Sequence, residues 1–60
     1  MTRTTLLALA ERVEAEIVDA ASALSPDPFA SRFNAENMAH AANCAKVAAS
    51  LRAIAGSLPD

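Results

Sequence analysis

Pro26 and Pro28 divide this chain into two long segments, and neither segment contains another proline or a glycine before Gly56. A proline holds the residue before it out of the helical region, so a helix does not readily continue across this point. In both segments, apolar residues recur at helical spacing. The sequence therefore predicts an all-α fold, a helical hairpin of two long helices joined by a proline-bounded corner. Residues 1–60 are expected to form one small helical domain, since 60 residues are near the lower limit for independent folding.

The first segment has the pattern of an amphipathic helix. Its apolar residues follow steps of three and four, whereas its charged residues fall mostly on the other side. We predict a helix over about residues 5–24, with Thr4 or Thr5 as its N-cap. Arg12 and Glu16, four residues apart, are expected to pair on a solvated acidic face. The apolar row consists of Leu6, Leu9, Val13, Ile17, Ala20 and Leu24.

The corner, SPDPF, contains a helix-start signal. Asp27 can cap a helix whose first residue is Pro28, where the missing N–H group is no loss. A short helical turn is therefore expected over residues 28–33. It would place Phe29 and Phe33, the two aromatic residues of the chain, on one side of the corner, where the two helices have to be bridged.

The second segment predicts a helix over about residues 34–56. Asn34 is a candidate N-cap for this helix. The helix that starts at Pro28 could instead run straight through Asn34, and the sequence leaves both alternatives open. Gly56 is the expected left-handed terminator, followed shortly by Pro59.

The core available to such a hairpin is thin, because half of the apolar residues are alanine. Two helices cannot enclose a core, whereas four can. We therefore expect the hairpin to complete a helical bundle, either as a two-fold homodimer or by docking on a different protein. Further alanines at positions 42, 49 and 53 suggest a second surface for an arriving helix. The predicted interaction face of the second helix consists of Cys44, Val47, Leu51, Ile54 and Leu58 with Ala41, Ala45 and Ala48.

His40 and Cys44 lie one helical turn apart and could be taken for a reactive pair. A metal site needs three or four ligands, and a Cys–His nucleophile needs a third orienting group and oxyanion donors. We therefore interpret Cys44 as a small residue packed at a helix interface, with His40 near the edge of that interface. We predict that the protein is not an enzyme and holds no metal or cofactor. A His/Cys metal-binding protein is the third and least favoured hypothesis.

Charge and composition argue against several classes of protein. The net charge is −2, and the five basic residues are scattered, so the chain lacks the basic patch of a nucleic-acid-binding protein. The apolar run before Glu11 is too short for a signal peptide or a membrane span. A single cysteine cannot form an intramolecular disulfide. We expect a cytoplasmic protein that binds neither nucleic acid nor membrane.

The stretch LALAERVEA, residues 7–15, resembles the opening of small, mostly uncharacterised phage and prophage proteins of alphaproteobacteria. In those proteins a segment rich in Gly, Pro, Asp and Arg often follows, whereas EIVDAASALSPDP stands at that place here. The resemblance implies a phage-borne accessory protein that acts in the host cytoplasm by binding and inhibiting a host factor, such as a defence system. A structural or assembly subunit of a virion or larger complex is the alternative.

Overall fold

The computed structural model describes residues 1–59, so residue 60 of the predicted domain lies outside the description. Helix α1 spans Arg3–Ser22, a short 3-10 turn spans Pro28–Ala30, and helix α2 spans Ser31–Gly56. The described residues contain no strand. They form a rod with principal extents of 49 × 14 × 12 Å, in which α1 packs along α2. The predicted all-α helical hairpin is confirmed.

Helix α1 begins two residues earlier than predicted, because Thr2 is its N-cap. The Oγ1 atom of Thr2 accepts a hydrogen bond from the amide of Thr5 at 3.2 Å and lies 2.9 Å from the Thr5 hydroxyl. The prediction that Thr4 or Thr5 caps the helix is therefore wrong. Helix α1 also ends before residue 24, since its last turn tightens: the amide of Leu24 donates to the carbonyl three residues back at 3.2 Å.

The corner is organised by two side-chain interactions. Asp27 accepts a hydrogen bond from the amide of Phe29 at 2.9 Å, which confirms the predicted cap and short helical turn. The turn leads directly into α2 at Ser31, so Asn34 lies within the helix and is not its cap. Asn34 instead reaches back to the end of the first segment. Its Nδ2 donates to the Ser25 carbonyl at 2.8 Å, and its Oδ1 accepts from the Ser25 amide at 2.9 Å.

This Ser25–Asn34 clamp, and not the aromatic pair, connects the corner to α2. Phe29 is 95% exposed and Phe33 is 50% exposed, so neither ring fills the corner. The expectation that they bridge the helices is wrong. A two-bond clamp satisfies the backbone of Ser25 directly, which a phenyl ring cannot do.

The end of α2 also differs from the prediction. Gly56 is helical, and no described residue has a positive φ, so Gly56 is not a left-handed terminator. The final carbonyls are satisfied in another way. The amide and hydroxyl of Ser57 both donate to the Ile54 carbonyl, at 3.1 and 2.8 Å, and the Leu58 amide donates to the Ala55 carbonyl at 3.1 Å. Because these bonds satisfy the carbonyls, the chain needs no left-handed residue here.

The two helices meet along a seam of mostly small side chains. The seam residues of each helix alternate steps of three and four, the spacing of a coiled coil. Alanines at every seventh position of α2 allow the helix axes to approach closely. The buried residues are Leu6, Ala10 and Ala20 of α1 and Cys44, Ala48 and Ala55 of α2. Half-buried seam residues are Val13, Ile17, Asn37, Ala41, Leu51 and Leu58.

Val47 and Ile54 were expected in this seam, and the structure places them beside it, 49% and 52% exposed. Two rows with the same three-and-four spacing run through Cys44 and Leu51. One row uses the larger residues Val47 and Ile54, and the other uses alanines at 41, 48 and 55. The structure uses the alanine row, because small residues let the two helices approach closely and gain contacts along the whole seam.

Candidate interaction surface

The His40–Cys44 pair lies at one edge of the seam, where the sequence placed it. Cys44 is buried at 9% exposure, and the His40 side chain is 55% exposed. The Nε2 atom of His40 lies 3.6 Å from the Cys44 Sγ and 3.5 Å from a carboxylate oxygen of Glu16 on α1. Across residues 1–59, no group of three or more His, Cys, Asp or Glu side chains is arranged to hold a metal ion. His40 therefore connects the two helices at the surface while it covers the buried thiol.

A second cross-helix pair lies between Arg52 and Glu14. The guanidinium donates twice to the carboxylate: Nε to Oε2 at 3.0 Å and Nη2 to Oε1 at 2.6 Å. This hydrogen bonding lowers the pKa of Glu14 from its ordinary value of 4.5 and raises the pKa of Arg52. The predicted pairing of Arg12 with Glu16 is wrong, since Glu16 faces His40 on the other helix.

The two cross-helix pairs mark two opposite faces of the hairpin. Residues seven apart lie on the same side of a helix in a coiled coil, so each pair identifies a stripe on both helices. We call the side with Glu16 and His40 the histidine face; its residues are Leu9, Glu16, Phe33, His40, Val47 and Ile54. We call the other side the arginine face; its residues are Leu7, Glu14, Ala21, Met38, Ala45 and Arg52.

The histidine face contains large apolar side chains that the hairpin leaves about half exposed. Phe33, Val47 and Ile54 are 50%, 49% and 52% exposed, and Leu9 of α1 is half-buried. Along the length of the face, the Glu16–His40 pair separates Phe33, which is nearer the corner, from Leu9, Val47 and Ile54, which are nearer the free ends. Monomeric proteins rarely expose extended apolar patches without a function for them. This face therefore has the composition of a binding surface with a polar centre.

The arginine face is smoother and has smaller side chains. Ala21 and Ala45 are exposed, and Ala42 and Ala49 continue the alanine surface on α2. Met38, at 61% exposure, and the half-buried Leu7 are the large apolar residues of this face. The alanine surface expected from the sequence is thus present and open to solvent.

The predicted interaction face is divided among three places. Val47 and Ile54, its two β-branched members, belong to the histidine face, and Ala45 belongs to the arginine face. The remaining members lie in the seam, namely Ala41, Cys44, Ala48, Leu51 and Leu58. Sequence analysis did not identify Leu9 and Glu16 as members of the same surface as Val47. Their seven-residue spacing was visible, but the antiparallel register that brings them to one side depends on both helices.

Cys44→Ala is expected to leave the helices intact and to lower the free energy of unfolding by only about 1 kcal/mol, because a small buried side chain is shortened. Thermal unfolding followed by circular dichroism measures this, with Asn43→Ala on the exposed neighbouring position as the control. Stoichiometric zinc in the wild-type protein, absent from Cys44→Ala, would contradict our interpretation of the pair.

Acidification is expected to weaken the hairpin through Glu14. The pKa of Glu14 is lowered in the folded chain, so the unfolded chain binds its proton more tightly. The stabilisation is complete above the ordinary value of 4.5 and is lost as the pH falls through the lowered value. The effect is small, because both side chains are more than 40% exposed. Urea unfolding midpoints from about pH 6 to pH 3 should fall less steeply for Glu14→Gln than for the wild type. Asp19→Asn, at an exposed carboxylate, serves as the control, and parallel curves for Glu14→Gln and wild type would contradict this role.

The described residues enclose no pocket, and neither described helix has the length and apolar character that a membrane span requires. No protein-family model matches the chain, and no curated protein or solved structure is significantly similar to it.

Proposed function

We propose that this chain is a helical protein–protein interaction module that completes its core against another helical surface. The observation that supports this is the distribution of its large side chains. Leu6 is the one large aliphatic residue among the buried positions of residues 1–59, and the rest of the buried set is alanine and cysteine. Eight large apolar residues are between 41% and 95% exposed, namely Met1, Val18, Leu24, Phe29, Phe33, Met38, Val47 and Ile54. The fully buried part of the hairpin thus consists mostly of small residues, and eight of its large apolar residues are left exposed.

This distribution favours association for a simple energetic reason. Removing apolar surface from water contributes about 25 cal/mol per Å², so exposed Val, Ile and Phe side chains offer more to a partner than to the hairpin itself. Two further helices packed against the histidine face would enclose these side chains in a four-helix arrangement. The polar Glu16–His40 pair at the centre would select partners with a complementary polar group.

The resemblance of residues 7–15 to small phage proteins supports a host factor as the biological target and inhibition by binding as the mode of action. The cytoplasm is the compartment we propose, since a single free cysteine suits a reducing environment. The same exposed surface would serve an assembly subunit of a virion, and the partner decides between these roles.

The proposed function is tested by measuring association directly. Native mass at increasing concentration reports self-association, and affinity capture from host cells, with purified virions in parallel, reports a foreign partner. We expect the wild type to show either self-association or capture of a foreign partner, and we expect Val47→Glu to abolish that association. The proposal would be refuted if the wild type stays monomeric at tens of micromolar and if every protein that it captures is also captured by Val47→Glu.

A further inference from the structure

The histidine face is suited to pack against a copy of itself. We infer that the partner which covers it is a second copy of this chain, in a two-fold four-helix dimer. This inference rests on the proposed function and specifies its partner and its surface. Three observations lead to it: the size of the face, its apolar content, and the position of its Glu16–His40 pair.

The face has the area that a stable dimer needs. The hairpin is 49 Å long and 12–14 Å wide. One long side therefore offers on the order of 600–700 Å², and two copies in contact would bury roughly 1,300 Å² in total, within the ~1,200–2,000 Å² range of stable protein interfaces. The whole length of the face is required to reach this range, so the apolar residues at both of its ends must take part.

The apolar residues fit such a contact. Leu9, Val47 and Ile54 lie on one side of the Glu16–His40 pair, and Phe33 lies on the other. The neighbouring α2 positions Asn43 and Ser50 are uncharged, so little desolvation of charge opposes the approach of a second helix along them. The charged residues Arg12, Asp19 and Glu36 lie at the outer edge of this face. A carboxylate oxygen of Glu36 is 3.6 Å from the Nε atom of Arg32 on the same helix.

The central pair determines how the second copy is oriented. Two copies can meet on this face around a two-fold axis that runs along the hairpin or around one that runs across it. An axis across the hairpin places α1 on α1 and brings Glu16 of both copies together, which is unfavourable for two carboxylates. An axis along the hairpin places α1 of each copy on α2 of the other, so that Glu16 faces His40 of the second copy. The axis along the hairpin keeps the two Glu16 carboxylates apart and places each against an imidazole, and it is therefore the favoured one.

This arrangement also gives the apolar residues suitable neighbours. Leu9 of each copy lies between Val47 and Ile54 of the other. Phe33 lies near the small Ala23, which follows Glu16 by seven residues on the same side of the first segment. Every helix has antiparallel neighbours, which is the usual order in four-helix bundles with short connections.

The first experiment measures mass and helicity together. Analytical ultracentrifugation at tens of micromolar is expected to give a dimer for the wild type, a helical monomer for Val47→Glu, and a dimer for Ala49→Glu. Ala49 is the matched control, because it carries the same new charge two residues away, on the opposite side of α2. A second variant, Ile54→Glu, is measured in case Val47→Glu fails to fold. A monomeric wild type, or a dimer that survives both Val47→Glu and Ile54→Glu, overturns the inference.

The second experiment tests the orientation by disulfide formation between copies, in a Cys44→Ala background. Chains carrying Leu9→Cys are mixed with chains carrying Val47→Cys, and a covalent mixed dimer is the expected product. The comparison mixes Leu9→Cys with Ala23→Cys, which are brought together only by the axis across the hairpin. Preferential cross-linking of this comparison pair overturns the proposed orientation. If the wild type is a monomer but captures a foreign protein that Val47→Glu releases, the second copy is excluded as partner while the proposed function stands.

Discussion

Replacing Leu51 with glutamate is expected to unfold the hairpin and to abolish any dimer with it. Leu51 is a half-buried seam residue between the buried Ala48 and Ala55. Because Leu51 is half-buried, the substitution removes roughly 1 kcal/mol of apolar burial, and it also brings a carboxylate into the seam, where it cannot be fully hydrated. So small a core cannot absorb a loss of this size. Circular dichroism and native mass should therefore show loss of helix and of association together.

Ala49→Glu is the control for this variant, because it introduces the same charge at an exposed position of α2 that lies outside both the seam and the histidine face. We expect it to keep the helicity and thermal midpoint of the wild type. A Leu51→Glu protein that melts like Ala49→Glu would show that residue 51 does not contribute to the seam.

Ala48→Leu is expected to destabilise the hairpin, with the second largest effect among these variants. Hydrophobicity alone would suggest the opposite, because leucine is more apolar than alanine. Ala48 is 3% exposed where α1 and α2 pack together. A leucine there needs space that the adjacent helix occupies, and such overpacking costs about 1–3 kcal/mol. The expected result is a marked fall in the thermal midpoint, measured by circular dichroism.

Ala49→Leu adds the same side chain to an exposed position and should leave the midpoint nearly unchanged. If Ala48→Leu instead stabilises the protein, the helices must lie farther apart than the alanine seam indicates. The pair of variants therefore tests the close approach of the helices separately from the general effect of added apolar surface.

The fold could be predicted from the sequence to a large extent, because its determinants are local. The prolines at 26 and 28, the Asp27 cap and the helical spacing of both segments are each readable within a few residues. The details that failed depend on tertiary geometry. Thr2 and Thr4 are equally plausible caps by composition, and Asn34 is a plausible cap until Ser25 is brought within 2.9 Å of it.

The choice of seam shows why the surface could be predicted only in part. On both helices an alanine and a larger residue compete for the same role: Ala10 with Leu9, and Ala48 with Val47. Periodicity cannot separate them, since both alternatives keep the same spacing. In each case the structure buries the alanine completely or nearly so, at 0% and 3% exposure. The distance between helix axes decides the outcome, and that distance is a property of the pair of helices.

The Ser25–Asn34 clamp has a consequence for the order in which the hairpin forms. Its two residues are nine apart in the chain, whereas Glu14 and Arg52, which pair across the two helices, are 38 apart. Closing a loop of about ten residues takes roughly 10–100 ns, and the entropic cost of closure rises with loop length. Folding is therefore expected to nucleate at the corner and to proceed as a zipper toward the termini. We expect the clamp to restrict the rotation of α2 before the seam forms, which adds to the close approach of the helices in favouring the alanine row.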